Sequence, residues 1–237
     1  MKRKQWMVVC VLAAGAVIGM LCWGILHQKK EPQKEELSYM VGDREVQIKR
    51  AEPLEEKQYY DMCWIDVSLR NIREDVDIAA KGKVSNIREI EISYNNNGSQ
   101  MTEYSTLFDF TLEEVYKRDN KTEKTITVYY GISSHDYPSL EDDPGMFEVK
   151  EGTTYYLFLE NLNEAGNDPL GLHHVADYRL LYPHTSLISQ NTSEAHLKEQ
   201  MKIYDSDLNR TAAAEQYFKK DSFTAEDYEA FIKAYFQ

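Results

Sequence analysis

The chain has 237 residues, enough for one sizeable domain with appendages or for two small domains. It is 42% hydrophobic and 12% aromatic, which supports a packed core and excludes wholesale disorder. The formal net charge is −13, and because an acidic body is repelled by phosphate backbones, the composition argues against a nucleic-acid partner.

An uncharged apolar segment of 21 residues runs from Trp6 to Leu26. As a helix it would be about 31 Å long, the thickness of a bilayer core. We therefore expect a transmembrane anchor at residues 6–26, preceded by a cytoplasmic N-terminus at 1–5. A cleaved signal peptide is the main alternative, but its apolar core is usually shorter and ends in small residues, unlike the residues around Cys22. The short basic N-terminus favours a cytoplasmic start, so the body is expected outside a cell membrane that the chain crosses once.

The predicted anchor contains a pair of small residues that favours close helix contact. Gly15 and Gly19 form a GxxxG pattern, which predicts a possible dimer through the anchor, although such a pattern also arises by chance in a glycine-rich span. Cys10 and Cys22 lie in the same segment, and Cys63 is the single cysteine of the body. No internal disulfide of the body is expected, and Cys63 is interpreted as a packed thiol.

A polar stretch at residues 27–38 has no apolar periodicity and is interpreted as a tether. The body is predicted to occupy 39–190 and to begin with a hairpin whose turn holds Gly42 and Asp43. Apolar residues at helical spacing then predict a helix over 66–77.

Strands dominate the rest of the body. Residues 80–94 predict a long strand that Gly82 could bend, followed by a loop at 95–100. Residues 105–117 and 124–131 alternate in polarity and predict a hairpin. The stretch 149–160, VKEGTTYYLFLE, predicts a turn at Gly152 and a strand that is apolar on both faces, and 175–183 predicts a last strand.

The C-terminal region at 191–237 is predicted to be helical, with segments at 193–204, 211–220 and 222–236. Thr224 and Asp227 have the spacing of a capping box. An apolar stripe that includes Tyr228, Phe231 and Ile232 should cover the outer face of the strand in 149–160.

These elements together resemble a known kind of domain. The residues that carry the resemblance are Ala80, Gly82, Val84, Val115, Val149, Gly152, Tyr156, Leu157, Phe158 and Leu159. Over about residues 66–190 the chain resembles the OB-fold-like barrels of membrane-anchored or secreted proteins of Gram-positive bacteria. These are distantly similar to the netrin-like domain of tissue inhibitors of metalloproteinases. The resemblance implies a mainly β fold, a five-stranded OB-like barrel with flanking and C-terminal helices. The zinc chelation that those inhibitors perform with a free N-terminal cysteine is not expected here, since this chain begins with a predicted membrane helix.

Candidate site residues are few. OB-type barrels often bind oligosaccharides on a strand face, so Tyr129, Tyr130 and Tyr155 are candidates for stacking on a sugar, although strand tyrosines commonly pack half-buried. His173, His174 and His184 could hold a metal, but two adjacent histidines in a strand would point to opposite faces.

The acidic loop that contains Asp136 and Glu141 lacks the spacing of a calcium loop. No catalytic motif or cofactor site is predicted. The sequence therefore favours a binding or interaction module with a protein, peptide or glycan partner. A metal-dependent hydrolase and an accessory or immunity-type membrane protein are the alternatives.

Overall fold

A computed structural model of the chain describes residues 36–56, 59–60, 72–118, 123–138, 147–164, 168–205 and 211–237. Within these residues the chain is mainly β with helices at its C-terminal end, as the sequence predicts. The predicted anchor at 6–26, with Gly15 and Gly19, lies outside the described residues, as does Cys63. Among the helices that are described, none is long and apolar enough to cross a membrane.

The described residues form ten strands and four α-helices. The strands are β1 (Glu36–Val41), β2 (Arg44–Arg50), β3 (Tyr59–Tyr60), β4 (Ile78–Asn96), β5 (Ser99–Lys117), β6 (Thr125–Tyr130), β7 (Tyr137–Pro138), β8 (Thr154–Asn161), β9 (Tyr178–Leu180) and β10 (Ile188–Ser189). The helices are α1 (Ile72–Asp75), α2 (Pro183–Ser186), α3 (Glu194–Asp205) and α4 (Ala225–Phe236), and a 3-10 turn covers Leu172–His174.

Eight strands form one sheet in the order β1-β2-β4-β5-β6-β9-β8-β10, and an additional pairing joins β4 to β8. Because of that pairing, five strands close on themselves in the order β4-β5-β6-β9-β8-β4, which we call the five-strand circuit. Its pairs are antiparallel except for β6 and β9, which are parallel. The hairpin of β1 and β2 continues the sheet from the far half of β4. β3 and β7 form a separate parallel pair.

A bulge divides the long strand β4 into two halves. The register with β5 shifts between Ser85 and Arg88, where Asn86 has a positive φ of 53°. One extra residue on one strand turns the following side chains to the other face. Val84 therefore packs inside the five-strand circuit, whereas Ile90, six residues later, packs on the opposite face of the sheet.

The core consists of three apolar clusters. The first fills the five-strand circuit and includes Phe108, Phe110 and Leu157. The second lies between the sheet and the C-terminal helices. The third, the outer cluster, lies on one face of the β1-β2-β4-β5 extension. Its buried members are Val46, Ile48, Ile90, Ile92, Leu107, Leu162, Leu170, Leu172 and Ala176.

Strand β8 is buried on both faces, as predicted. Tyr155, Leu157 and Leu159 belong to the cluster inside the circuit, and Tyr156 and Phe158 belong to the cluster under the helices. Helix α4 supplies the cover with the predicted stripe and begins at Thr224, whose hydroxyl accepts from the Asp227 N–H in the predicted capping box. The predicted hairpin of β5 and β6 and the predicted hairpin of β1 and β2 are likewise confirmed.

Several predicted boundaries are wrong. Residues 66–71 of the helix predicted over 66–77 lie outside the described residues, and the described part ends at Asp75. It ends there because the Asp77 N–H already donates to Leu159 O of β8 and the Lys117 ammonium binds the Arg73 carbonyl. Residues 212–219 form successive turns instead of a helix, and the Thr211 hydroxyl ties that stretch to Ala234 O.

Two other differences affect turns. The loop predicted at 95–100 is a two-residue turn, because Asn97 and Gly98 both adopt positive φ, as a type I′ hairpin turn requires. The last strand, predicted over 175–183, is limited to β9 because the chain makes the 3-10 turn just before it.

Candidate functional site

The extension formed by β1, β2, β4 and β5 has one open, polar face. Two neighbouring rows of side chains define this polar face: Ser38, Gln47, Ser93 and Thr102 in one row, and Glu36, Lys49, Glu91 and Tyr104 in the other. Hydroxyl, amide, carboxylate and ammonium groups thus project from a broad, regular surface, which suits hydrogen bonding to a partner.

Burial distinguishes the polar face from the opposite face of the same strands. Ser38, Gln47 and Thr102 are exposed, whereas Val46 and Ile92 on the opposite face are fully buried. The segment between β8 and β9 supplies that cover through Leu170 and Leu172. The extension therefore presents mainly its polar side to solvent, although Leu37 and Met101 at the margins of the opposite face are partly exposed.

A buried carboxylate closes the base of the polar face. Glu89 lies two residues before Glu91 on the same side of β4, opposite Thr106 of β5, and only 6% of it is exposed. Its Oε1 accepts the Ser134 N–H at 3.1 Å, and the Ser134 hydroxyl accepts the Leu54 N–H at 3.1 Å. Glu89 thus ties β4 to the segment after β6 and, through Ser134, to the segment after β2.

Burial raises the pKa of Glu89 above the usual range of a glutamate, and the nearby Asp136 carboxylate acts in the same direction. The Thr106 hydroxyl lies 3.5 Å from Glu89 Oε1 but only 2.6 Å from Ile132 O, and since it has a single hydrogen it donates to Ile132. Glu89 Oε2 has no hydrogen-bond partner within the described residues. Burial disfavours the charged form of a carboxyl, so Glu89 holds its proton to a higher pH than an exposed glutamate, and the base of the polar face is chemically unusual.

An aromatic pair lies beside this carboxylate. The rings of Tyr104 and His135 stack with their centroids 3.9 Å apart and their planes within 6°. The Ser133 hydroxyl accepts the His135 backbone N–H and donates to Asp136 Oδ1, and His135 Nδ1 has no partner in the part of the chain that is described. The serines here organise the loop, and no described contact joins the Ser133 or Ser134 hydroxyl to a histidine ring nitrogen, as a nucleophile and its base would require.

The three tyrosines predicted for sugar stacking do not come together on an open surface. Tyr130 and Tyr155 are buried inside the five-strand circuit, where their hydroxyls donate to Phe147 O and Glu148 O. Tyr129 packs against the outer cluster with its hydroxyl 2.9 Å from that of Ser105. These positions are those of packing residues, the alternative that the sequence left open.

Two of the three predicted histidines lie together, but not in a strand. His173 and His174 belong to the 3-10 turn, with ring centroids 4.2 Å apart, so the expectation of opposite faces was wrong. His173 Nδ1 lies 2.8 Å from Asp168. Burial alone would raise the pKa of Asp168, but hydrogen bonds from the Leu172 N–H and from His173 outweigh it, so that the pKa is lowered.

His184 lies in α2. In the described ranges, no group of three histidine, cysteine, aspartate or glutamate side chains is placed to hold a metal ion. Glu141, with the rest of the acidic run at 141–143, lies outside those ranges. The accessory or immunity-type alternative depends on Gly15 and Gly19, which also lie outside them.

Sequence reasoning missed Glu89, Tyr104 and Ser134. The signal that could have found Glu89 is the alternation in residues 89–93, where Glu89, Glu91 and Ser93 share one parity while Ile90 and Ile92 share the other. A strand with one polar and one apolar parity has one wet face.

A comparison with protein-family models, with curated proteins and with solved structures gives no match for this chain.

Proposed function

We propose that the chain is a membrane-anchored, extracytoplasmic binding module, in which an OB-like barrel presents the polar face to a protein, peptide or glycan partner. The observation that carries the proposal is the contrast between the two faces of the β1-β2-β4-β5 extension. One face is largely covered by the outer cluster, and the other displays ordered polar side chains to solvent. A sheet that has one face covered and the other rich in exposed hydrogen-bonding groups suits recognition of a partner.

The barrel part of the proposal is supported by the pairing order of the five-strand circuit. OB folds are five-stranded, partly open Greek-key barrels. The circuit has five strands, one parallel pair and an interior filled by apolar side chains such as Phe108 and Leu157. The resemblance to OB-fold-like and netrin-like barrels of Gram-positive bacterial proteins belongs to this proposal.

The proposed site differs from the usual site of such barrels. Ligands of OB folds commonly bind on the face of the second and third strands, which correspond here to β5 and β6. In this chain Leu107 and Tyr129 of that face pack with the outer cluster. The polar face, on the other side of the sheet, is the surface that remains open.

The anchored, extracytoplasmic location is supported by the sequence alone. The uncharged segment at 6–26 suits a membrane span, and the basic residues before it favour a cytoplasmic start. Protease treatment of intact cells tests this part: loss of the body's antibody signal is expected, and full protection of the body would overturn it.

Capture from native membranes tests the binding role, with the full-length chain as bait. Thr102→Arg places a bulky cation in the centre of the polar face, and Gln216→Arg makes a similar change at an exposed position of the C-terminal region. We expect one or more partners to be lost with Thr102→Arg and retained with Gln216→Arg. Equal recovery with all three baits would show that the polar face binds nothing.

A further inference from the structure

Strand β1 forms an edge of the sheet that lacks the usual protection. Within the described part of the chain it pairs only with β2. Natural edge strands are commonly blunted by lysine, proline or a bulge. The sequence of β1, ELSYMV, contains neither lysine nor proline, and its continuous register with β2 shows no bulge.

The turn after β1 determines which of its backbone groups face outward. Val41 pairs with Arg44 across the two-residue turn that Gly42 begins with a φ of 65°. Such a turn is closed by a hydrogen bond between its flanking residues, and hydrogen-bonded and non-bonded pairs alternate along an antiparallel ladder. It follows that Ser38 and Met40 direct their N–H and C=O groups away from β2. These groups are a template for another strand.

Exposed apolar surface accompanies these backbone groups. Leu37 and Met40, on the two faces of β1, are 38% and 60% exposed. Tyr39 and Val41, which share a face with Leu37, pack partly against the outer cluster. An added strand with apolar side chains on that face would extend the outer cluster past the present edge.

On the polar face, the edge formed by β1 and β2 carries negative charge. Glu36 lies on β1, and Glu45 lies opposite Met40 on β2. Lys49, the cation of the polar face, already pairs with Glu91 at 2.8 Å. Basic side chains on an added strand would meet Glu36 and Glu45 and could cover Met40 with their aliphatic stems.

We propose that the β1 edge binds an extended, positively charged segment of a partner protein, which adds to the sheet as a further strand. Basic residues of this segment alternate with apolar ones, the basic residues on the polar face and the apolar residues against the outer cluster. The proposal rests on the proposed binding function and names its partner class. A second copy of the chain fits the edge less well, because each copy carries a net charge of −13.

Binding of defined synthetic peptides to the full-length chain, purified in detergent, tests the proposal. The probe is an eight-residue peptide that alternates lysine with valine. One control replaces each lysine by glutamate, and a second carries N-methyl groups on alternate backbone nitrogens, which removes donors to the edge. Fluorescence anisotropy of the labelled peptides measures affinity at low and high salt.

Two variants of one residue isolate the edge. Ser38→Pro removes an outward N–H without removing a ladder bond to β2, and Ser38→Ala keeps that N–H while losing the hydroxyl that donates to Glu45. We expect the lysine peptide to bind and salt to weaken it. The two control peptides should bind poorly. Ser38→Pro should lower the affinity about tenfold or more, and Ser38→Ala should lower it by clearly less, because the outward N–H remains.

Three results would overturn the proposal: failure of the lysine peptide to bind, equal binding to Ser38→Pro, or a self-associating chain that Ser38→Pro converts to monomers. Sedimentation of the same samples detects the third result. If the peptide fails while capture from membranes still depends on Thr102, the binding module stands and the edge proposal falls.

Discussion

Glu229 on α4 lies 2.7 Å from Lys81 on β4, so that one ion pair joins the C-terminal helix to the sheet. The Tyr156 hydroxyl of β8 donates to the same carboxylate at 2.9 Å. Chiefly through Lys81, these contacts lower the pKa of Glu229 to about 2, although partial burial opposes them. The pair is one of the polar contacts that hold α4 over β8.

This contact predicts a pH-dependent stability. A lowered pKa means that the charged Glu229 stabilises the fold above the usual glutamate range, and that this stability is lost as the pH falls through about 2. Glu229→Gln should lower the free energy of unfolding by about 1 kcal/mol near neutral pH and by progressively less in acid. Urea unfolding at several pH values measures this. Glu226→Gln, an exposed change on the same helix, is the control, and an equal loss in both variants would contradict the assigned role.

The burial of Phe158 predicts how much the contact between β8 and the helices contributes to stability. Its side chain is fully buried and meets the rings of Phe236 and Tyr204, with centroids 5.0 and 6.1 Å away. Phe158→Ala should cost about 3–5 kcal/mol, because it leaves a cavity in this cluster. Met101→Ala, at a partly exposed residue, should cost less than about 0.5 kcal/mol. Denaturant unfolding compares the two, and similar midpoints would show that the helices do not depend on this contact.

Gly82 is predicted to tolerate no side chain. A Cβ atom there would lie 2.7 Å from Cζ of Phe110 and even closer to the backbone oxygen of Thr111. Gly82→Ala should therefore destabilise the fold by about 1–3 kcal/mol. Gly131→Ala is a matched control, because the same added atom would meet only Tyr129, at an ordinary distance of 3.8 Å. Thermal unfolding that ranks the two variants equally would contradict the close approach of β4 and β5.

The raised pKa of Glu89 predicts a dependence of stability on pH that is opposite to that of Glu229. Because its pKa is raised by burial, its protonated form fits the fold better, and stability is lost as the pH rises through the raised value. Glu89→Gln keeps the acceptor for Ser134 N–H and stays neutral. It should be more stable than the unaltered chain above neutral pH and lose this advantage near pH 4.

Glu89→Ala separates the effect of charge from that of the lost acceptor. It leaves the buried Ser134 N–H without its partner and should be destabilised at both pH values. Unfolding curves at the two pH values measure all three proteins. A Gln variant less stable than the unaltered chain at high pH would show that the charged carboxylate is favoured in the fold.

Much of the fold could be predicted from local patterns. Tyr156 and Phe158 alternate with Tyr155 and Leu157 in a strand without charges, which requires cover on both faces, and the stripe on α4 was the available cover. The start of that helix could be predicted because Thr224 and Asp227, three residues apart, have the spacing of a capping box. These features depend on neighbours in sequence, where propensity and periodicity are most informative.

The candidate site could not be found in the same way. Val84, Ile90 and Ile92 share one parity, which in a regular strand would put them on one face of β4, but the bulge at Asn86 moves the last two to the other face. That switch directs Glu89 toward the side of the sheet that lines the circuit. The bulge itself is fixed by the Glu151 carboxylate, which accepts the Asn86 N–H from 65 residues away. Contacts of such long sequence separation leave no local signal.

The pairing of β3 with β7 and the stacking of His135 on Tyr104 are non-local in the same sense. Nothing in the composition of residues 132–138 distinguishes a solvated loop from a loop that closes the base of the polar face. The buried Ser133 and Ser134 were therefore missed.

Site-specific photo-cross-linking in cells tests the central claim, that the polar face binds a partner, most directly. A photoreactive amino acid is placed at Thr102, on the polar face, or at Gln216, an exposed position of the C-terminal region. Irradiation should give a discrete adduct of higher mass at Thr102 and none at Gln216. An adduct at neither position, or the same adducts at both, would contradict the assignment of the polar face as the binding surface.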